Sequence, residues 1–208
     1  MIFFAFFLAS FTSLLSIANP FAAMPFFLAM TDGDTAEHRR QQALKASMYM
    51  ILILGVFLFG GNYIISFFGI SLEGIRIAGG LLIIKMAYSM LDPDTQGRKL
   101  NAGDHSEAFR KPDISFSPLA MPMLSGPGSI ALTLGLASQS TTPWDYLGVS
   151  LAILLVAAST FGLLLVSQKM TQMLGRTGMT ALTRMMGFIA LTIGVQFIIN
   201  GIRPLLGT

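Results

Sequence analysis

Met121-Pro122-Met123-Leu124-Ser125-Gly126-Pro127-Gly128-Ser129 lies inside an otherwise apolar run, and its reading decides the fold. A helical proline lacks an N–H and pushes away the carbonyl four residues earlier, at a cost of about 3 kcal/mol or more. Here two prolines stand five residues apart, the second flanked by glycines that let another group approach the backbone closely. A second stretch, Asn19-Pro20-Phe21-Ala22-Ala23-Met24-Pro25, carries the same Pro-x4-Pro spacing 102 residues earlier. One proline would read as a kink. Two in each stretch predict broken helices, with freed carbonyls at Ser16, Phe21, Pro118 and Met123.

The surroundings of both stretches are those of a membrane-spanning chain. Apolar residue types make up 53% of the 208 residues and charged types 11%, where a soluble domain carries roughly 25% charged. The mean hydropathy is +0.70. Runs long enough for a hydrocarbon core of about 30 Å fall near Ile2–Met30, Ala46–Phe68, Leu72–Leu91, Ile114–Ala137, Leu147–Val166 and Met179–Ile202. Polar loops are expected at Thr31–Gln42, Asp92–Asp113, Ser138–Asp145 and Ser167–Gly178, with a tight turn at Gly69. The first run has no basic segment before it and is expected to stay as the first span. As one straight helix Ile2–Met30 would extend about 43 Å, which also favours a break.

Orientation follows from Lys and Arg near the span ends. Arg39, Arg40 and Lys45, then Arg98, Lys99, Arg110 and Lys111, then Lys169, Arg176 and Arg184 crowd alternate loops. Those loops are expected in the cytoplasm, with both termini outside and Trp144 and Tyr146 at the outer interface.

The halves also match beyond the prolines. Arg76-Ile77-Ala78-Gly79 is echoed by Arg184-Met185-Met186-Gly187, 108 residues on, and Gly69 and Gly178 precede each arginine. A three-span unit repeated in tandem must insert its second copy upside down, a pattern of secondary transporters. The expected fold is therefore an all-α membrane protein of six transmembrane helices in two inverted three-helix repeats, with broken first and fourth helices. The repeats are 1–91 and 114–208, joined by a cytoplasmic loop at 92–113.

Several chemistries are excluded or disfavoured. The absence of cysteine removes disulfides, thiolate metal sites and Cys nucleophiles. The net charge of +3 comes from scattered basic residues with no basic face, so no nucleic-acid partner is expected. No acidic residue falls mid-span, and His38 and His105 lie in loops. That disfavours a carboxylate proton relay and intramembrane protease chemistry. Without a phosphate-binding loop motif, direct ATP drive is not expected. No catalytic or metal-ligating residues are assigned, and no cofactor.

A binding site is expected where the breaks meet. Half-helix N-termini present unpaired N–H groups and partial positive charge, so Ser125, Gly126, Pro127, Gly128 and Ser129 suit a carboxylate. Asn19 and the carbonyls around Ser16, Pro20, Phe21, Pro122 and Met123 suit an ammonium group or a coupling Na⁺. A zwitterion needs both. Arg76, Arg184, Gln196 and Asn200 are candidates for gating or a pathway, with snorkelling or helix–helix bonding as the plainer reading. Glu73, three residues before Arg76, has ion-pair spacing. Gly79, Gly80, Gly187 and Gly194 suit close helix packing.

The runs Ala18-Asn19-Pro20, Gly74-Ile75-Arg76-Ile77-Ala78-Gly79-Gly80, Pro118-Leu119-Ala120-Met121-Pro122 with Ser125-Gly126-Pro127-Gly128, Arg184-Met185-Met186-Gly187 and Gly194-Val195-Gln196-Phe197-Ile198-Ile199-Asn200-Gly201-Ile202 resemble the MarC family of six-span prokaryotic inner-membrane proteins. Relatives of the SnatA type imply transport of small neutral amino acids such as glycine and alanine; coupling to Na⁺ or H⁺ is left open by the residues. The alternatives are export of drugs or other metabolites, or a channel. The lipid bilayer is the expected environment, and a homo-oligomer is compatible with the chain.

Overall fold

The computed structural model describes residues 2–92 and 113–206, and these residues are helical with no strand among them. The 93–112 part of the expected cytoplasmic loop, with Arg98, Lys99, His105, Arg110 and Lys111, lies outside the described residues.

Helix α1 (Ile2–Ala18) gives way to α2 (Pro20–Met30) at Asn19. Thr35 accepts from the His38 N–H to start α3 (Ala36–Phe68), ten residues ahead of the expected Ala46. The polar turns 36–45, read as loop and span flank, are helical because that cap starts them. Gly69, at φ 62°, ends α3, and Ser71 caps α4 (Leu72–Leu91). Three residues thus reverse the chain, since Gly tolerates the left-handed conformation that closes a helix end.

The fourth span is a bent pair. An irregular helical segment, Ser115–Leu124, meets α5 (Pro127–Gln139) at 63°. Ser117 and Met121 are extended, as residues before proline prefer. The segment winds widely, Leu119 N–H donating to the Ile114 carbonyl at 3.2 Å and Ser125 N–H to Ala120 at 2.8 Å.

A capping box of Thr142 and Asp145 then opens α6 (Pro143–Ile202). Here the expected loop Ser167–Gly178 is corrected. The chain stays helical through it, except at Gly175, whose φ of 62° and ψ of −177° separate the spans Pro143–Gly175 and Thr177–Leu206. One glycine makes the turn that the polar composition made look like a loop. Arg203–Leu206 forms a final short turn.

Contacts fix the direction of each crossing. At one face, Arg39 bonds Gln168 and the Thr31 carbonyl, and Lys45 pairs with Asp113. At the other, Phe3 and Phe6 pack at Gly148, Phe59 stacks on Tyr146, and Gly201 meets Glu73. The described residues therefore cross between these faces six times, if the bent pair counts as one span, and both described ends lie on the Glu73 face. The two broken spans run in opposite directions.

The solvent side is inverted relative to a soluble protein. Along α3, Leu44, Met48, Leu52, Val56, Phe59 and Tyr63 form an exposed stripe while Ala46, Met50, Leu54 and Leu58 are buried. An exterior as apolar as its interior belongs in hydrocarbon, where small residues and tight packing hold helices together. The chain is an integral membrane protein. Small residues perform that role between α4 and the second limb of α6. Gly80 and Gly194 abut backbone to backbone, Gly187 lies on Ala87 and Met90, and Gly201 on Glu73 and Ile77.

At the Arg39 face a polar clasp holds the start of the bent span against α3. The Gln42 side chain accepts from the Ile114 N–H at 3.1 Å, and Lys45 donates to Asp113 at 2.8 Å. The Lys45 bond, followed by donation from Ser115, holds the Asp113 carboxyl at about 2, below its ordinary 3.8. A lowered carboxyl pKa adds stability above the ordinary value and loses it as pH falls through the lowered one. The thermal midpoint of the purified protein is therefore expected to fall from pH 4 to pH 2. The fall should be shallower in Asp113→Asn, and an identical fall in both proteins would refute this role for the pair.

Candidate functional site

The two breaks meet in the interior. A Cβ placed on Gly128, in the first turn of α5, would lie 3.3 Å from Ile17 Cγ2 at the end of α1 and 3.4 Å from the Met86 thioether on α4. Helix α2 leaves its break toward the Arg39 face and α5 leaves its break toward the Glu73 face. Two helix N-termini thus open onto one interior region.

Each break has its own local cause. Asn19 sits at φ 40°, ψ 67°, a conformation that Asn tolerates better than most residues. Its Oδ1 accepts from the Ala22 N–H at 3.3 Å. Pro20 supplies no N–H to the Ser16 carbonyl, and the Ser16 hydroxyl turns back to Thr12 at 2.7 Å. Pro25, expected to deepen the break, is instead accommodated inside α2. Only five residues into a short helix, it costs one hydrogen bond, to Phe21, and Phe3–Met30 remains one span.

In the second break Gly126 is required by contact, because a Cβ there would strike the Pro122 carbonyl. Gly126 has no side chain to cap α5, and Pro127 occupies the first helical position. The N–H groups of Gly128 and Ser129 therefore lack intrahelical acceptors, as in any uncapped first turn. The Ser129 hydroxyl donates to the Leu124 carbonyl at 3.1 Å, and Thr133 bonds back to Ser129 at 2.8 Å. Pro127 leaves the Met123 carbonyl without its helical donor.

Two polar groups at these breaks stand out. Asn19 is 4% exposed and Ser125 0% exposed. Neither Asn19 Nδ2 nor Ser125 Oγ has a hydrogen-bond partner among the described residues. An unmade bond at a buried polar group costs about 1–3 kcal/mol, so such groups call for a ligand, water or ion. Around them lie N–H donors at the helix starts and carbonyls at Ser16, Phe21 and Met123. The arrangement can hold a small solute with both an anionic and a cationic end.

The remaining candidates lie elsewhere. Arg76 Nη1 donates to the Asn200 carbonyl at 3.4 Å, and Gln196 Nε2 donates to Asn200 Oδ1 at 2.8 Å. Met86, which touches the breaks, is ten residues further along α4, about 15 Å away by helical rise. The expected Glu73–Arg76 ion pair is absent among the described residues; Arg76 turns across to the neighbouring helix instead. Gln196 and Arg184 are exposed on the outside of the bundle. Ile17 and Met86 were not singled out in the sequence. The signal available was slight: a methionine one helical heptad beyond Gly79, on the same face.

Comparison with known proteins agrees over nearly the whole chain. Residues 4–206 match the MarC family of integral membrane proteins. The chain is 38% identical to a membrane protein of Methanocaldococcus jannaschii, covering 95% of this chain and 96% of that one. It is 35% identical to the membrane protein YvbG of Bacillus subtilis, covering 96% and 95%. With the inner membrane protein MarC of Escherichia coli it shares 36% identity, over 94% and 93%. No solved structure gives a significant match. With a family match from residue 4 to residue 206 and relatives aligned almost end to end, this chain belongs to the MarC family of integral membrane proteins.

Proposed function

We propose that the protein is a secondary transporter of small neutral amino acids, working by alternating access. The observation that carries this reading is the pair of unsatisfied buried groups, Asn19 Nδ2 and Ser125 Oγ, at two helix breaks that meet. A substrate carboxylate would take the Gly128 and Ser129 N–H groups and the Ser125 hydroxyl. Its ammonium would take the carbonyls freed by Pro20, Pro25 and Pro127, or those carbonyls would hold a coupling Na⁺. Ile17 and the Met86 thioether wall the first turn of α5 at Gly128, an apolar surface that suits a small side chain.

The opposed directions of the two broken spans support an inverted repeat, in which one set of spans rocks against the other around a fixed site. The bound amino acid supplies the hydrogen bonds that Asn19 and Ser125 otherwise leave unmade, so its affinity depends on which arrangement aims them at it. The crowding of Arg39, Arg40, Lys45 and Lys169 on one face supports placing that face in the cytoplasm, with both termini outside a prokaryotic inner membrane.

Counterflow in proteoliposomes tests this directly. With unlabelled glycine or alanine inside, labelled amino acid should enter saturably and be displaced by small neutral amino acids but not by apolar drugs. Imposed Na⁺ and pH gradients identify the coupling ion. Folded protein that gives no entry above empty liposomes would overturn the assignment.

A further inference from the structure

Lys85 and Arg184 are exposed on the outside of the bundle, and neither has an ion-pair or hydrogen-bond partner among the described residues. Lys85 lies six residues before the end of α4 at Leu91, a depth of about 9 Å. A cation at such a depth in a span is costly unless it reaches an anion or water. Arg184 lies one turn before Gly187, and Gly187 packs on Ala87, Met90 and Leu91 in the last turn of α4. The two helices run antiparallel in this register, so Arg184 stands near the level of the α4 end.

The two side chains share a face. Leu81, Lys85 and Tyr88 form one exposed stripe on α4 at i, i+4 and i+7, beside the line of Gly80, Ile84 and Ala87 that meets the second limb of α6. Arg184, Phe188 and Val195 form the exposed edge of that limb, beside Gly187 and Gly194. Both edges turn outward from the same glycine contact. The two positions differ by about 9 Å along the helix axis, a gap that the long stems of both side chains can close from either end onto one phosphate.

We infer that this outer face is a binding site for an anionic phospholipid, with Lys85 and Arg184 holding the phosphate from two sides and the exposed Tyr88 phenol beside them. The polarity matches that ligand along its length. The two cations and Tyr88 lie toward the membrane surface with Phe188 between them, and Leu81 and Val195 lie toward the centre, where acyl chains run. Basic pockets between helices on the cytoplasmic side hold such headgroups in other membrane proteins. The inference is independent of the transport reading, since it concerns the outside of the bundle.

The test is thermal unfolding of the full-length protein in neutral detergent, with added phosphatidylglycerol, phosphatidylcholine or soluble glycerol 3-phosphate. Phosphatidylglycerol should raise the midpoint by roughly 4 °C, and the other two should not. Lys85→Gln with Arg184→Gln should remove the rise, while Lys85→Arg with Arg184→Lys should keep it. Arg40→Gln, at an exposed position on the first turns of α3, should also keep it. An equal rise with phosphatidylcholine or glycerol 3-phosphate would overturn the site, as would loss of the rise in Arg40→Gln. So would a rise that survives both glutamine substitutions. Both positions are exposed, so the variants lose no packing; should the double variant unfold, each single variant should halve the rise or more.

Discussion

Gly80→Ala is expected to lower the stability of the folded protein by about 2–3 kcal/mol, the upper part of the usual range for overpacking. Gly80→Leu should leave little folded protein. A Cβ on Gly80 would stand 2.6 Å from the Gly194 carbonyl oxygen, 2.7 Å from Ile198 Cγ1 and 3.1 Å from the Ile198 nitrogen. Two of those three atoms are backbone and cannot step aside. The reciprocal contact is as close, with a Cβ on Gly194 2.9 Å from the Gly80 oxygen. Gly187, Gly194 and Gly201 recur every seven residues against α4, so relief at one point means moving two helices apart along their length. Gly55 is the control. A Cβ there meets nothing within 4 Å, and Gly→Ala inside a helix gains about 0.5–1 kcal/mol. Unfolding midpoints in detergent should therefore fall for Gly80→Ala and hold or rise for Gly55→Ala. Equal midpoints would mean that the two helices are not in backbone contact.

The spans themselves were legible because a hydrocarbon core demands long apolar runs, and Ala46–Phe68 or Leu72–Leu91 admit few other readings. The break at Gly126-Pro127 was legible for a local reason, the missing N–H. What composition concealed was of two kinds. Gln168 and Lys169 are polar enough to suggest a loop, yet they remain helical and only Gly175 turns the chain, since polar residues at a membrane surface need no irregular backbone. Pro25 suggested a break and makes none, because a short helix absorbs one lost bond near its start. The second kind is tertiary. Arg184 and Gln196 looked like pathway residues, but which face of a helix turns inward is set by its neighbours, here by glycines packed on α4. Met86 reaches the breaks from a third helix, and no periodicity within α4 announces that contact.

Ser125→Ala is expected to reduce amino-acid counterflow roughly tenfold or more, a loss equivalent to about 1.4 kcal/mol, while leaving the unfolding midpoint unchanged or raised. The separation of the two readouts follows from the geometry. Ser125 Oγ is fully buried and bonds nothing among the described residues, so its removal breaks no hydrogen bond there and relieves an unsatisfied group. A purely structural hydroxyl would move neither readout in that way. Asn19 divides its functions between two atoms. Oδ1 caps α2 through Ala22, and Nδ2 has no partner among the described residues. Asn19→Ala should therefore lower both transport and stability, the latter by about 1 kcal/mol as caps do. Asn19→Asp keeps the capping oxygen and its good fit at a helix N-terminus, but loses the donor and adds a charge. It should fold like the parent protein and fail to transport, because the added carboxylate repels that of the substrate. If Ser125→Ala and Asn19→Asp both carry amino acid at the parent rate, the breaks do not form the substrate site, however well they meet.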